Sequence, residues 1–130
     1  MESMDRAFRE MTFDFFGRAL HKTTPAAFFG QADGVLVDLR SAEERGILSV
    51  TVPGLACLQL PLHELPDRWE EIPMDRPVGL FCSSDNRSAM ALAYLRGRGY
   101  LSVRILAGGY EALVGELKPG KVYKRLNAGA

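Results

Sequence analysis

Cysteine is scarce in this chain, with only Cys57 and Cys82 among 130 residues. Two are too few for a disulfide scaffold, and neither has the neighbouring Cys or His that a zinc site needs. Free thiols in a reducing compartment are the expectation, with no metal and no cofactor. An excess of charge is missing too: 16 Lys and Arg face 16 Asp and Glu, so no global field draws the chain to nucleic acid or to an anionic membrane. Any anion site must be local. No apolar run approaches the roughly 18 residues of a membrane span, and the phenylalanines of Met11 to Phe16 are broken by Thr12 and Asp14. The start lacks a secretory pattern, because Glu2, Asp5, Arg6, Arg9 and Glu10 leave no apolar stretch behind a basic start. The chain reads as cytoplasmic. Repeats, low-complexity stretches and Pro/Gly-rich linkers are absent, and the length suits one core.

What is present alternates between strand and helix signals. Residues Ser3 to Gly17 read as a helix or arm with Phe8, Met11 and Phe15 at helical spacing, which divides the chain into an N-terminal helical arm, 1–17, and a domain, 18–130. Thr24-Pro25 is a helix start, with Ala26 to Gln31 behind it. Gly34 to Asp38 and Pro77 to Cys82 are apolar runs of the kind that strands buried on both faces show. Ala56 to Leu60 follows the Pro53-Gly54 turn signal, and Leu101 to Leu106 makes a further strand. Ser41 caps a short helix bearing Glu43, Glu44 and Arg45; a short helical piece follows near His63. Arg87 to Arg96 is a well-formed helix, and Tyr110 to Leu117 is the last one, after the Gly108-Gly109 turn. The pattern predicts an α/β fold with a parallel sheet.

In such a sheet the functional crevice lies beyond the carboxyl ends of the strands. Cys82 stands at one of these ends, followed by Ser83-Ser84-Asp85-Asn86 and by Arg87-Ser88 opening a helix. Amides of such a turn, backed by a helix N-terminus, make a local positive concavity that favours an anion and the reactive thiolate. Arg87 adds a planar fork suited to an oxyanion, and the small polar residues Ser83, Ser84, Asp85 and Asn86, together with Ser88, are expected to line the loop and bind substrate.

These segments resemble the rhodanese family over roughly Arg18 to Lys121. Val35 to Arg40 is similar to its first core strand with the Asp-x-Arg ending, and Glu43 or Glu44 to the acidic residue on the next helix. Leu58 to Leu62 is similar to its next strand, Phe81 to Ser88 to its active-site loop, and Leu106 to Leu113 to its Gly-Gly turn and helix. The resemblance implies a rhodanese-like parallel sheet of about five strands flanked by helices. It also implies a sulfurtransferase whose Cys82 takes sulfur from a small donor as a persulfide and passes it to a thiol or protein acceptor, with Arg87 completing the catalytic pair. Two departures stand out: Ile47 to Val52 replaces a His-Ile pair before Pro53-Gly54, and Ser83 and Asp85 stand where many members carry a basic residue and a glycine. A neutral-to-acidic loop attracts thiosulfate less.

Other residues have plainer uses. Cys57, within an apolar strand pattern, reads as a core residue. His21 and His63 lack partners for metal or base work, and Trp69 reads as a cover for the core. Asp85 is read as facing solvent or capping the helix that follows rather than as an acid catalyst, and Arg40, which ends a core strand, is read as pairing with Glu43 or Glu44 rather than as reaching the crevice. Phe13, Phe15 and Phe16 offer a homodimer surface or, more cheaply, a means of packing the arm onto its own domain. Two other functions compete with sulfur transfer. One is phosphate or arsenate chemistry, although cysteine phosphatases have a loop one residue longer than Ser83 to Asn86. The other is a non-catalytic binding module, against which the intact Cys82 and Arg87 argue.

Overall fold

The computed structural model of the chain describes residues 2–128. Strands β1 (Lys22–Thr23), β2 (Val35–Asp38), β3 (Ala56–Gln59), β4 (Val78–Phe81) and β5 (Val103–Leu106) form one sheet in the order β1-β5-β4-β2-β3. Every neighbouring pair is parallel. The helices are α1 (Glu2–Glu10), α2 (Phe13–Gly17), α3 (Pro25–Phe29), α4 (Ala42–Ile47), α5 (Leu65–Arg68), α6 (Asn86–Gly97), α7 (Gly109–Gly115) and α8 (Pro119–Leu126). This is the α/β, five-stranded parallel architecture that the alternation predicts.

Strands β2 and β4 lie inside the sheet and are buried at every position, because helices cover both faces. Side chains alternate across a strand. Val35, Val37, Val78, Leu80, Val103 and Ile105 therefore share one layer with Leu65, Leu92 and Leu95, while Leu36, Phe81 and Leu106 share the other with Phe28, Phe29 and Leu113. Cys82 belongs to the first layer. Gly79 has a packing reason: a Cβ there would lie 2.9 Å from the Phe28 ring, which rests directly on β4. Trp69 and Tyr100 close one end of the first layer, with the Tyr100 hydroxyl donating to the Ile72 carbonyl at 2.6 Å.

Cys57 is exposed rather than core, because β3 is the edge strand and only one of its sides is paired. Its Sγ–H donates to the Leu55 carbonyl at 3.7 Å, and partial burial of the sulfur pushes its thiol up. In the N-terminal segment the buried contacts are Ala7 and Phe15, whereas Phe8 is 58% and Phe13 94% exposed. The segment is two helices lying partly on α6: Arg6 donates to the Arg96 and Gly97 carbonyls at 3.2 and 3.0 Å, satisfying free acceptors at that helix end. Strand β1 and helix α8 have no counterpart in the sequence reading.

Candidate active site

Strand β4 delivers Cys82 to the carboxyl edge of the sheet, on the face covered by α6. The residue is fully buried. Its Sγ accepts hydrogen bonds from the Ser88 amide at 3.3 Å and the Ser88 hydroxyl at 3.1 Å, and Ser88 is itself fully buried in the first turn of α6. Donors at a helix N-terminus favour negative charge on the atom they hold. Ser88, grouped by sequence with the lining of the loop, is the residue that touches the sulfur.

The loop closes this short path through Asp85, whose backbone is left-handed (φ 66°). That conformation costs a non-glycine residue about 1–2 kcal/mol, and it gives a physical reason for glycine in similar loops. Asp85 occupies the N-cap position, yet its side chain makes no capping bond, and its Oδ1 is buried without a hydrogen-bond partner among the described residues. Asp85 therefore stands at the cap position without capping, which corrects that expectation, and the residue is half-buried. Helix α6 begins at Asn86, one residue earlier than the pattern suggested; Asn86 and Ser84 are exposed and Ser83 is half-buried. The Gly108-Gly109 turn presses on the loop from the neighbouring strand end. A Cβ on Gly109, where φ is +57°, would sit 2.8 Å from the Ser83 carbonyl oxygen.

The fork of Arg87, read from sequence as free for an oxyanion, is already engaged. Its Nη1 and Nη2 donate to Glu44 Oε1 and Oε2 at 2.5 and 2.9 Å, and Nη2 also donates to the Ser83 hydroxyl at 3.0 Å. Glu44 is held for this by a capping box on α4, in which the Glu44 amide donates to Ser41 Oγ and the Ser41 amide to Glu44 Oε1. Arg40 pairs with neither Glu43 nor Glu44, a second correction. It is fully buried and bonds Asp38 through Nε and Nη2 at 2.9 and 2.8 Å, the Leu48 carbonyl at 2.7 Å and the Tyr110 hydroxyl at 3.1 Å. Its guanidinium stacks on the Phe81 and Tyr110 rings. Arg40 thereby ties β2 to α7 and to the segment after α4, which is the stretch where the sequence departs from the family.

Hydrogen bonds from Arg87 and from the Ser41 amide pull the Glu44 carboxyl down from 4.5 to about 2. A carboxylate whose folded value is depressed contributes stability above its unfolded value and loses it as pH falls toward the folded one. Glu44→Gln keeps the capping acceptor but loses the ion pair. The gap in thermal midpoint between wild type and this variant is expected to be constant above pH ~5 and to close between 4.5 and about 2, read by thermal melts across that range.

A cavity of about 260 Å³ opens beside the loop, lined by Leu39, Ser41, Pro61, Leu62, His63 and Arg87. Most of its wall is apolar side chain, and the Arg87–Glu44 pair stands at its edge. His63 is exposed at this mouth, with its Nε2 3.7 Å from Glu64 Oε2.

Residues 26–116 match the rhodanese-like domain, so the chain belongs to the rhodanese-like family. A protein of Allochromatium vinosum named sulfurtransferase is 46% identical over 77 residues, which are 59% of this chain and 68% of that one. A tRNA sulfurtransferase of Aeromonas salmonicida is 30% identical over 74 residues, 57% of this chain but 15% of the longer protein. Among solved structures, a rhodanese-related protein of Thermoplasma volcanium superposes with a TM-score of 0.60 at 22% identity, covering 76% of this chain and 95% of that one. No helix among the described residues is long and apolar enough to cross a membrane.

Proposed function

We propose that this protein is a sulfurtransferase that carries sulfane sulfur as a persulfide on Cys82. The observation that supports the reading is the Cys82 sulfur held by two donors of Ser88 at the head of α6; the names of its relatives agree with it. The Cys82 thiolate attacks the outer sulfur of a donor R–S–S⁻, forming the Cys82 S–S bond while the donor's own S–S bond breaks and R–S⁻ leaves. An acceptor thiolate then attacks the terminal sulfur of the Cys82 persulfide. It departs as the new persulfide, and the Cys82 thiolate is restored.

Charge and access set the kind of donor. Arg87 is neutralised by Glu44, and Asp85 adds negative charge to the loop. Thiosulfate, a dianion, gains little there, whereas a singly charged organic persulfide fits the apolar mouth formed by Leu39, Pro61 and Leu62. Because Cys82 is fully buried, the donor reaches it when Arg87 and Glu44 part and the loop opens.

Mass spectrometry of the desalted protein after incubation with an organic persulfide tests this reading. One sulfur atom is expected on Cys82, released by cyanide or dithiothreitol, with thiosulfate loading more slowly and aryl phosphates left intact. Ready hydrolysis of aryl phosphates, with no sulfur gained from any donor, would replace the proposal with a phosphatase.

A further inference from the structure

A second and larger cavity, of about 600 Å³, lies at the other end of the sheet. Its walls are residues that precede strands, Gln31 and Ala32 before β2 and Pro53 to Leu55 before β3, together with α8. Cys82 follows β4, and all strands run parallel. The length of a strand, four residues or about 13 Å, therefore separates this cavity from the thiol's level. Helix α8 lies beyond residues 26–116, the part that matches the family.

The volume falls in the range of small-molecule sites, and the composition follows their pattern of apolar walls with a few converging polar groups. Phe29, Leu55 and Leu126 supply apolar surface. Charge on the walls is unbalanced. Glu116 is taken by Lys121, whose Nζ lies 2.8 Å from Oε2. Lys124 and Arg125 remain, and among the described residues neither forms an ion pair with a carboxylate. Arg125 is held in place with its guanidinium 5.1 Å from the Phe29 ring centre and with contacts of 3.4 Å to the Glu116 carbonyl, which leave most of its fork unused.

We propose that this cavity binds a small amphiphilic anion, a carboxylate or sulfonate on an apolar body. Its headgroup meets Lys124 and Arg125, and its body lies against Phe29, Leu55 and Leu126. The apolar walls set it apart from a site for inorganic anions, and the two unbalanced cations set it apart from a site for neutral apolar compounds. The site is separate from Cys82 and does not depend on the sulfurtransferase reading.

The full chain titrated with 8-anilinonaphthalene-1-sulfonate, an anion on an aromatic body, tests the proposal by fluorescence. Saturable enhancement is expected, displaced by octanoate but not by octanol or inorganic phosphate at the same concentrations. Lys124→Glu reverses a headgroup contact on an exposed helix face and is expected to weaken the probe about tenfold. Ala26→Trp fills the cavity from α3 and is expected to remove the enhancement, while persulfide loading of Cys82 stays at the wild-type level in both variants. Enhancement unchanged in the two variants, displacement by octanol as effective as by octanoate, or no enhancement at all would overturn the site.

Discussion

Cys82→Ser is expected to lose sulfur transfer completely and to keep its fold. The replacement is close to isosteric, and its hydroxyl still accepts from Ser88, whose amide and side chain otherwise bond the sulfur at 3.3 and 3.1 Å. What disappears is the nucleophile: an alcohol at this position neither ionises near neutral pH nor forms a persulfide. Circular dichroism and the thermal midpoint should stay close to wild type, while the mass gain of one sulfur and all turnover vanish. Cys57→Ser should retain both. Cys57 sits on the outer edge of the sheet, and partial burial of its sulfur pushes its thiol up, away from the reactive form. Loss of activity in a folded Cys57 variant would show that the second thiol takes part in the transfer.

Asp38→Ala is expected to be the most destabilising of the substitutions considered. Arg40 has no exposed side-chain surface, and Asp38 holds it with two side-chain bonds while also accepting from the Arg40 amide at 3.1 Å. Removing the carboxylate leaves a guanidinium charge in the core with only the Leu48 carbonyl, the Tyr110 hydroxyl and two ring faces around it. Breaking a buried pair from one side costs about 3–5 kcal/mol, which for a domain of this size lowers the thermal midpoint by roughly 10 °C or more. The paired replacement Asp38→Leu with Arg40→Met should recover much of that loss, since no charge is then stranded. Chemical denaturation of the three proteins reads the difference. A double variant no more stable than Asp38→Ala would mean that Arg40 matters through packing and through its hold on Leu48 and Tyr110.

The elements that could be read from sequence are those whose signal is local. β2 and β4 announce themselves as short apolar runs because both faces of an inner strand are buried. Helix α4 announces itself through Ser41 and Glu44, a capping box written within four consecutive residues. The strand-to-helix junction at Cys82 follows from the same kind of signal, and so does the presence of Ser88 near it. β1 does not: two polar residues become a strand only because β5 offers them a free edge. Helix α8 lacks such a signal because Lys118, at its N-cap, makes no side-chain capping bond and no residue on it is buried.

Composition and spacing by themselves determined the fold class and the position of the thiol at a strand's carboxyl end. Strand order and charge pairing were decided only by the tertiary structure. The run around Cys57 has the apolar character of an inner strand, and its exposure follows from β3 lying outermost, a matter of which strands meet rather than of which residues they contain. Arg87 and Glu44 stand 43 positions apart and meet because β2 and β4 are neighbours, bringing the starts of the helices that follow them together. Arg40 turned from the acids ahead of it to Asp38 behind it, since the interior offered a buried carboxylate there and two aromatic faces to cover the guanidinium. Local patterns record backbone preference and burial, which act over a few residues. An ion pair forms wherever the folded chain brings opposite charges into contact, and that depends on contacts distant in sequence.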